Sequence, residues 1–266
     1  MRAIRVLFAA ILFATAGLVT PAGATSVTTD QSDLWWVPTE SGWGIQFVQR
    51  GSIIFATMFV YDQTNTPIWY TATLSYLGNF VWTGDLLLTN GPWLGAVPFN
   101  PNAVGYRKVG TMTWNATSTT NGVLNYSVDG VTVAKNLTRQ FLVYDNFHGR
   151  YAGAVHQSSA GCFQAADNGT VELIAALGVT QNGTSISMRS STESGGICTY
   201  SGTLSQAGQM GQVAGTYSCN SGDAGTFSFF EMQVNISGIT GRFTAKSGPF
   251  GCVATGWFGG MRGTTF

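Results

Sequence analysis

Beyond its first two dozen residues the chain shows almost no apolar repeat at the helical period. Short β-branched and aromatic runs recur instead between Gly, Asn and Asp turn signals. A polypeptide with that pattern buries its apolar surface through alternating strands, so an all-β fold is expected. In the first half, strands are expected over 43–49, 52–61, 67–75, 80–88, 108–115, 123–128 and 131–137, with Asp129-Gly130 as the strongest hairpin signal. The 53–61 run is apolar in both phases, Ile54, Ala56, Met58 and Val60 opposite Ile53, Phe55 and Phe59, which predicts a central strand buried on both faces. A second set of about eight strands is expected from Gly149 onward, separated by turn signals such as Gln181-Asn182-Gly183. There Val171, Leu173, Ala175, Leu177 and Val179 alternate with other residues, as do Phe230, Met232, Val234 and Ile236, giving each strand one core-facing side. Composition alone also allows a short helix over 171–177, but the flanking glycines favour a strand. The expected architecture is two antiparallel β domains, sandwich or barrel, the second an up-and-down barrel-like domain.

Seven of the eight tryptophans lie between Trp35 and Trp114, whereas all four cysteines lie between Cys162 and Cys252. Two differently stabilised domains follow, a Trp-rich one over 25–146 and a disulfide-linked one over 147–266. Four cysteines permit three pairings. A hairpin through the 205–211 turn would set Cys198 nearly opposite Cys219, which favours that bond and leaves Cys162 for Cys252. The second bond would join the first strands of its domain to the last, which are neighbours if the sheet closes on itself. Metal binding is a weak alternative, because no two cysteines lie within four residues of each other.

At the N-terminus, Met1 to Arg5 carries two positive charges, residues 6–19 form an apolar run, and Ala22-Gly23-Ala24 offers small residues for cleavage. This is the pattern of a secretory signal peptide over 1–24, and it predicts export to a periplasmic or extracellular space. Cleavage would remove Arg2 and Arg5 from the twelve basic residues and leave the twelve acidic ones, a net charge near −2. No electrostatic grip on nucleic acid is expected. Charged residues make up only 9% of the chain, so Ser, Thr, Asn, Gln and Gly must cover the surface, which suits neutral partners and is also common in exported β proteins.

The segment Leu34-Trp35-Trp36-Val37-Pro38-Thr39-Glu40-Ser41-Gly42-Trp43-Gly44 is followed by Phe59-Val60-Tyr61-Asp62, Pro67-Ile68-Trp69-Tyr70, Thr89-Asn90-Gly91-Pro92-Trp93 and Tyr126-Ser127-Val128-Asp129-Gly130-Val131. Over 34–141 this resembles a family of uncharacterised secreted bacterial β-domains with a W-x-P-x-E-x-G-x-G opening, an F-x-Y-D strand end and a G-x-P-x-W return strand. The chain departs from that pattern at Asn65-Thr66, where the family usually has a glycine before the proline. The resemblance implies an exported β-domain and brings no activity with it.

Trp35, Trp36, Trp43, Trp69, Tyr70, Trp82 and Trp93 are many rings for one core. Adjacent residues on a strand point to opposite faces, so one member of the Trp35/Trp36 pair and one of the Trp69/Tyr70 pair can face solvent or a cavity. Core packing is the commoner role of such rings. An exposed ring is a platform for the apolar face of a sugar or another hydrophobic ligand, which makes Trp35, Trp36, Trp43, Trp69, Tyr70 and Trp93 the candidate ligand-binding set.

Signs of catalysis are missing. The sequence has no G-x-S-x-G elbow, no H-E-x-x-H, no phosphate-cradling G-x-x-x-x-G-K and no G-x-G-x-x-G after a strand. His148 and His156 would sit about 26 Å apart on one strand, too far to share a metal; the expected roles are a linker residue and a strand residue with an ordinary hydrogen bond. Glu40 and Asp62 border aromatic strands and would make a glycosidase pair if roughly 5 to 10 Å apart. Each has a simpler role in organising its turn, with Arg139 the expected ion-pair partner if either is buried. Glu172 and Glu231 read as a solvated face.

A non-enzymatic exported binding protein is therefore expected, holding a neutral polysaccharide or an apolar small molecule on aromatic residues, with no cofactor and no metal. One alternative is a secreted structural or inhibitory protein with a protein partner. A less favoured one is an outer-membrane barrel, suggested by the even strand count and Phe266; the polar stretches 184–190 and 196–204 argue against membrane insertion.

Overall fold

The computed structural model describes residues 29–263, so the expected signal peptide over 1–24 and Phe266 lie outside the described residues. The first eight strands are β1 (Asp33–Trp36), β2 (Gly44–Arg50), β3 (Ile53–Tyr61), β4 (Pro67–Gly78), β5 (Val81–Asn90), β6 (Gly105–Ala116), β7 (Asn121–Val128) and β8 (Val131–Arg139). Each pairs antiparallel with the next, and β8 returns to β1 to close a barrel. The next eight are β9 (Gly149–Ala160), β10 (Gly169–Asn182), β11 (Ser185–Thr192), β12 (Ile197–Ala207), β13 (Met210–Cys219), β14 (Ala224–Val234), β15 (Gly238–Ser247) and β16 (Val253–Gly263). They close a second barrel through β16 and β9. The fold is all-β as expected, and of sandwich and barrel it is a barrel twice, a solution that leaves no open sheet edge.

Three strand-level expectations change. β1 was absent from the expected strands, because four residues just ahead of Pro38 carry too little alternation to register. β3 is not buried on both faces: Ile54, Ala56 and Met58 are buried, but Ile53, Phe55 and Phe59 are exposed on the outside. A closed barrel has one interior, so the second apolar phase has no layer to pack against. In β14 the bulge at Glu231 puts Phe230 out of phase with the buried Met232, and Ile236 lies beyond the strand and is exposed; the 171–177 stretch, by contrast, lies in β10 and is a strand as its flanking glycines favour.

The first barrel is filled by rings. Trp35, Phe47 and Trp114 meet at one end, with Trp35 and Trp114 in edge-to-face contact at 4.7 Å and Phe47 5.1 Å from Trp114. Both indole N–H groups are satisfied by Gln31: Trp35 Nε1 donates to its carbonyl at 2.9 Å and Trp114 Nε1 to its side-chain oxygen at 3.2 Å. The fully buried Arg139 guanidinium lies 4.6 Å from the Trp35 ring. Arg139 donates to the carbonyls of Thr119 and Ser32 at 2.6 and 3.0 Å, to the carbonyl of Asp30, and to Asp33 Oδ2 at 3.1 Å. The expected acidic partner was Glu40 or Asp62; the observed one is Asp33, brought close by the β1–β8 closure that the sequence reading lacked.

Asp33 also joins the barrels. Its Oδ2 accepts from the Gln209 backbone N–H at 2.8 Å, and Gln209 Nε2 donates to the Ser32 carbonyl at 2.6 Å. The β12–β13 turn can approach this closely because Gly208 has a φ of 54°, and a Cβ there would fall 2.0 Å from Asp33 Oδ2. From the linker, the buried Phe147 plugs the near end of the second barrel, its N–H donating to Gln181 Oε1 at 2.8 Å and its carbonyl accepting from Tyr151 Oη at 2.9 Å. His148 lies in this linker. Glu231 is not on a solvated face: it occupies a bulge of β14 with φ 51°, accepts from Thr29 Oγ1 at 3.0 Å, and lies 3.6 Å from Arg242.

All four cysteines are paired, Cys162 with Cys252 and Cys198 with Cys219, the pairing favoured from the hairpin register. Cys198 and Cys219 are direct register partners on β12 and β13. The outward positions of β11 to β13 are polar, as with Ser187, Arg189, Thr203, Gln212 and Thr216, while Ile186, Met188, Leu204 and Val213 point inward. That is the inverse of the arrangement hydrocarbon requires. Among the described residues no helix is long and apolar enough to cross a membrane.

Arg139→Met should destabilise the protein by about 3–5 kcal/mol in denaturant unfolding, since it strips a mostly buried carboxylate of its partner. Arg139→Lys should recover only part of this, because a point charge cannot serve several divergent acceptors. Replacing a cysteine pair with serines should cost about 3 kcal/mol for the bond closing 21 residues and about 5 kcal/mol for the one closing 90, read from the same unfolding curves.

Candidate functional site

Rings and hydroxyls converge on the outside of the first barrel, toward the end away from Arg139. Phe59 and Trp69 are register partners on β3 and β4. Trp69 Nε1 donates to Thr89 Oγ1 of β5 at 3.1 Å, and Thr89 is the register partner of Tyr106 on β6. Strands in a sheet lie about 4.8 Å apart, so this alignment makes one cross-strand row, Phe59, Trp69, Thr89 and Tyr106. Phe59, Trp69 and Tyr106 are 50%, 53% and 77% exposed. On the other flank Trp35 pairs with Ile45, so Trp36 falls beside Gly44, the partner of Phe59; with no side chain at Gly44, Trp36 is the next ring along the row.

The surroundings of the row are neutral and hydroxyl-rich. Thr57, Thr71, Thr73 and Ser75 face outward on β3 and β4, and Thr83 and Thr113 share a 2.9 Å hydrogen bond between β5 and β6. The nearby charges Lys108 and Asp85 neutralise each other at 2.7 Å.

The six expected site residues separate. Trp35 is fully buried and belongs to the core, a correction that follows from its inward phase on β1. Trp36 and Trp69 face outward, each opposite in phase to its neighbour. Tyr70 points into the barrel and packs against the core. Trp43 also packs there, its Nε1 donating to Glu40 Oε2 at 3.1 Å. Trp93 is exposed on the 91–104 loop, which springs from beside the row, and its ring folds against Gly95 of the same loop. Phe59 and Tyr106 were missed: Phe59 was expected to be buried, and Tyr106 gains significance only from its register opposite Thr89.

The acids of this end are fixed as anions. Lys135 Nζ donates to Glu40 Oε1 and Oε2 at 2.9 and 2.8 Å and lies 6.0 Å from the Trp43 ring centre. The hydrogen bond from Lys135 holds the Glu40 carboxyl below its ordinary range, with Trp43 adding to the effect. Asp62 Oδ1 accepts from Thr64 Oγ1 at 2.7 Å and from the N–H groups of Thr64 and Thr66 at 2.8 and 2.9 Å, and these bonds lower it likewise. The turn-organising role expected for Asp62 is the one observed. A bidentate Arg107 pair lowers Asp129 in the same way. Burial raises Tyr70 and Tyr126, which line the barrel mouth. A glycosidase needs one carboxyl kept protonated, and neither Glu40 nor Asp62 offers it. His156 is a strand residue bonded to Glu172 and stacked on Trp257 at 3.9 Å, on the outside of the second barrel. Among the described residues no group of His, Cys, Asp or Glu is placed to hold a metal ion.

Comparison with known protein families, with curated proteins and with solved structures finds no match.

Because Glu40, Asp62 and Asp129 have lowered pKa values in the folded state, their contribution to stability is fully present above the ordinary carboxylate values and is lost as pH falls through the lowered ones. NMR titration should place the Glu40 carboxyl below 4.5, and Lys135→Met should move it back toward that value.

Proposed function

We propose that this chain is an exported, non-catalytic binding protein whose first barrel holds a neutral polysaccharide on the outer aromatic row. The observation that carries this reading is the register alignment of exposed Phe59, Trp69 and Tyr106 around Thr89, on a face of threonines and neutralised charges. Rings supply dispersion and dewetting against the apolar faces of sugar rings, while hydroxyls offer donors and acceptors without a charge to desolvate. Trp69 is already oriented by its bond to Thr89, so little side-chain freedom is lost on binding.

Several features support the rest of the reading. Two disulfides are consistent with an oxidising compartment, as export would provide. Ionised, hydrogen-bonded carboxylates supply no general acid, in keeping with binding rather than hydrolysis. The polar outward positions of β11 to β13 argue against insertion in a bilayer.

The test is a titration of the purified protein with soluble neutral polysaccharides (a β-glucan, a xylan and a galactomannan), followed by intrinsic fluorescence and calorimetry. Trp69→Ala should weaken binding roughly ten-fold or more with an unchanged melting temperature. Trp35→Phe should instead lower the melting temperature and leave affinity unchanged. Absence of saturable binding to every polysaccharide would reject the reading and turn the row toward a protein partner.

A further inference from the structure

The second barrel is not filled along its length. Near the linker, Tyr151, Val179, Ile186, Leu204, Val213 and Met232 close the interior around Phe147. Toward the disulfide end, small residues take the inward positions: Gly153 on β9, Ala175 on β10, Ala245 on β15 and Ala254 on β16. Gly153 must be small, because a Cβ there would fall 1.9 Å from the Gly259 carbonyl of β16. The result is a cavity of about 220 Å³ walled by Val155, Leu173, Phe229, Phe243 and Phe258. It reaches Thr192 and Gly196 of the β11–β12 turn, the Cys198–Cys219 bond and Asp223 of the β13–β14 turn.

Polarity is confined to that end. Asp223 Oδ2 accepts from Tyr217 Oη at 3.0 Å and Oδ1 from Ser247 Oγ at 2.6 Å; Ser247 Oγ in turn accepts from the Phe250 N–H at 3.0 Å. These bonds fix the carboxylate and leave further lone pairs for another donor. Among the described residues lining the cavity there is no Lys, Arg or His. A bound anion would meet Asp223 without a counter-charge in an apolar setting, so a fatty-acid-like ligand is disfavoured. Eight-stranded barrels have interiors that are either packed by side chains or hold one small ligand, and this one is packed only at its linker end.

We propose that the second barrel binds a small uncharged apolar alcohol, its hydrocarbon body between Leu173, Phe243 and Phe258 and its hydroxyl donating to Asp223 at the disulfide end. The site is separate from the aromatic row, so either can fail without the other.

The test uses the full chain with N-phenylnaphthylamine as a neutral fluorescent probe, displaced by decanol or by decanoate at neutral pH. Saturable probe fluorescence is expected, with decanol displacing it at least about ten-fold more tightly than decanoate. Asp223→Asn should narrow that gap, Ala175→Phe should abolish probe binding, and Trp69→Ala should leave it unchanged. Equal displacement by decanoate, or full probe binding by a folded Ala175→Phe variant, overturns the proposal. Should Ala175→Phe lose its near-ultraviolet circular dichroism, methyl NMR of the unmodified protein decides. Decanol-induced shifts at Leu173, Ala175, Ala245 and Ala254 support the interior site, and shifts confined to the outward Ile174 and Met261 reject it.

Discussion

Arg139 is the residue on which the architecture turns. Its guanidinium is fully buried and closes β8 onto β1, caps the Trp35 ring and fixes the segment around Asp30 to Asp33. A charge so placed is tolerable only because several acceptors and one carboxylate meet it, and that carboxylate also receives the Gln209 N–H from the second barrel. Closure of one barrel and its junction to the other are therefore a single polar network. The requirement reaches Gly208, whose missing Cβ makes room for the Asp33 side chain.

The barrels resolve the same geometric problem in opposite ways. In the first, Trp35, Trp82 and Trp114, with Phe47 and the half-buried Trp43, Tyr70, Tyr76 and Tyr126, fill the interior, and further rings such as Phe59, Trp69 and Tyr106 lie outside, which is how an aromatic surface arises on a barrel with a saturated core. In the second, glycines and alanines leave the disulfide end hollow. Left dry, a void of about 220 Å³ forgoes on the order of 5 kcal/mol of packing. The two disulfides sit at this hollow end, where covalent constraint of the unfolded chain offsets contacts that side chains do not make.

What could be read in the sequence was local. Alternation, turn residues and hairpin register located most strands, the Asp129-Gly130 turn and the Cys198–Cys219 pair, since each depends on neighbours along the chain. β1 escaped because its support comes from Arg139, more than a hundred residues away. The outward exposure of Phe55 and Phe59 could not be read from an apolar run, because only closure decides whether a second layer exists. Of the candidate aromatic row only part could be placed from the sequence: Trp36 and Trp69 face outward, Trp35 is core, and Tyr106 joins the row through a register that β3 to β6 set together. The cavity left no signal, for small residues in strands carry no pattern of their own.

The two closing seams differ greatly in length. β16 and β9 pair over eleven residues, whereas β1 meets β8 through Trp35 with Arg139 and Trp36 with Thr138. If the short seam parts, β1 and β8 each present a row of unsatisfied N–H and C=O groups, two sticky edges where the described barrels otherwise have none. The clamp at Arg139 thus guards against more than unfolding. It keeps a closed barrel from becoming a template on which another chain can add a strand.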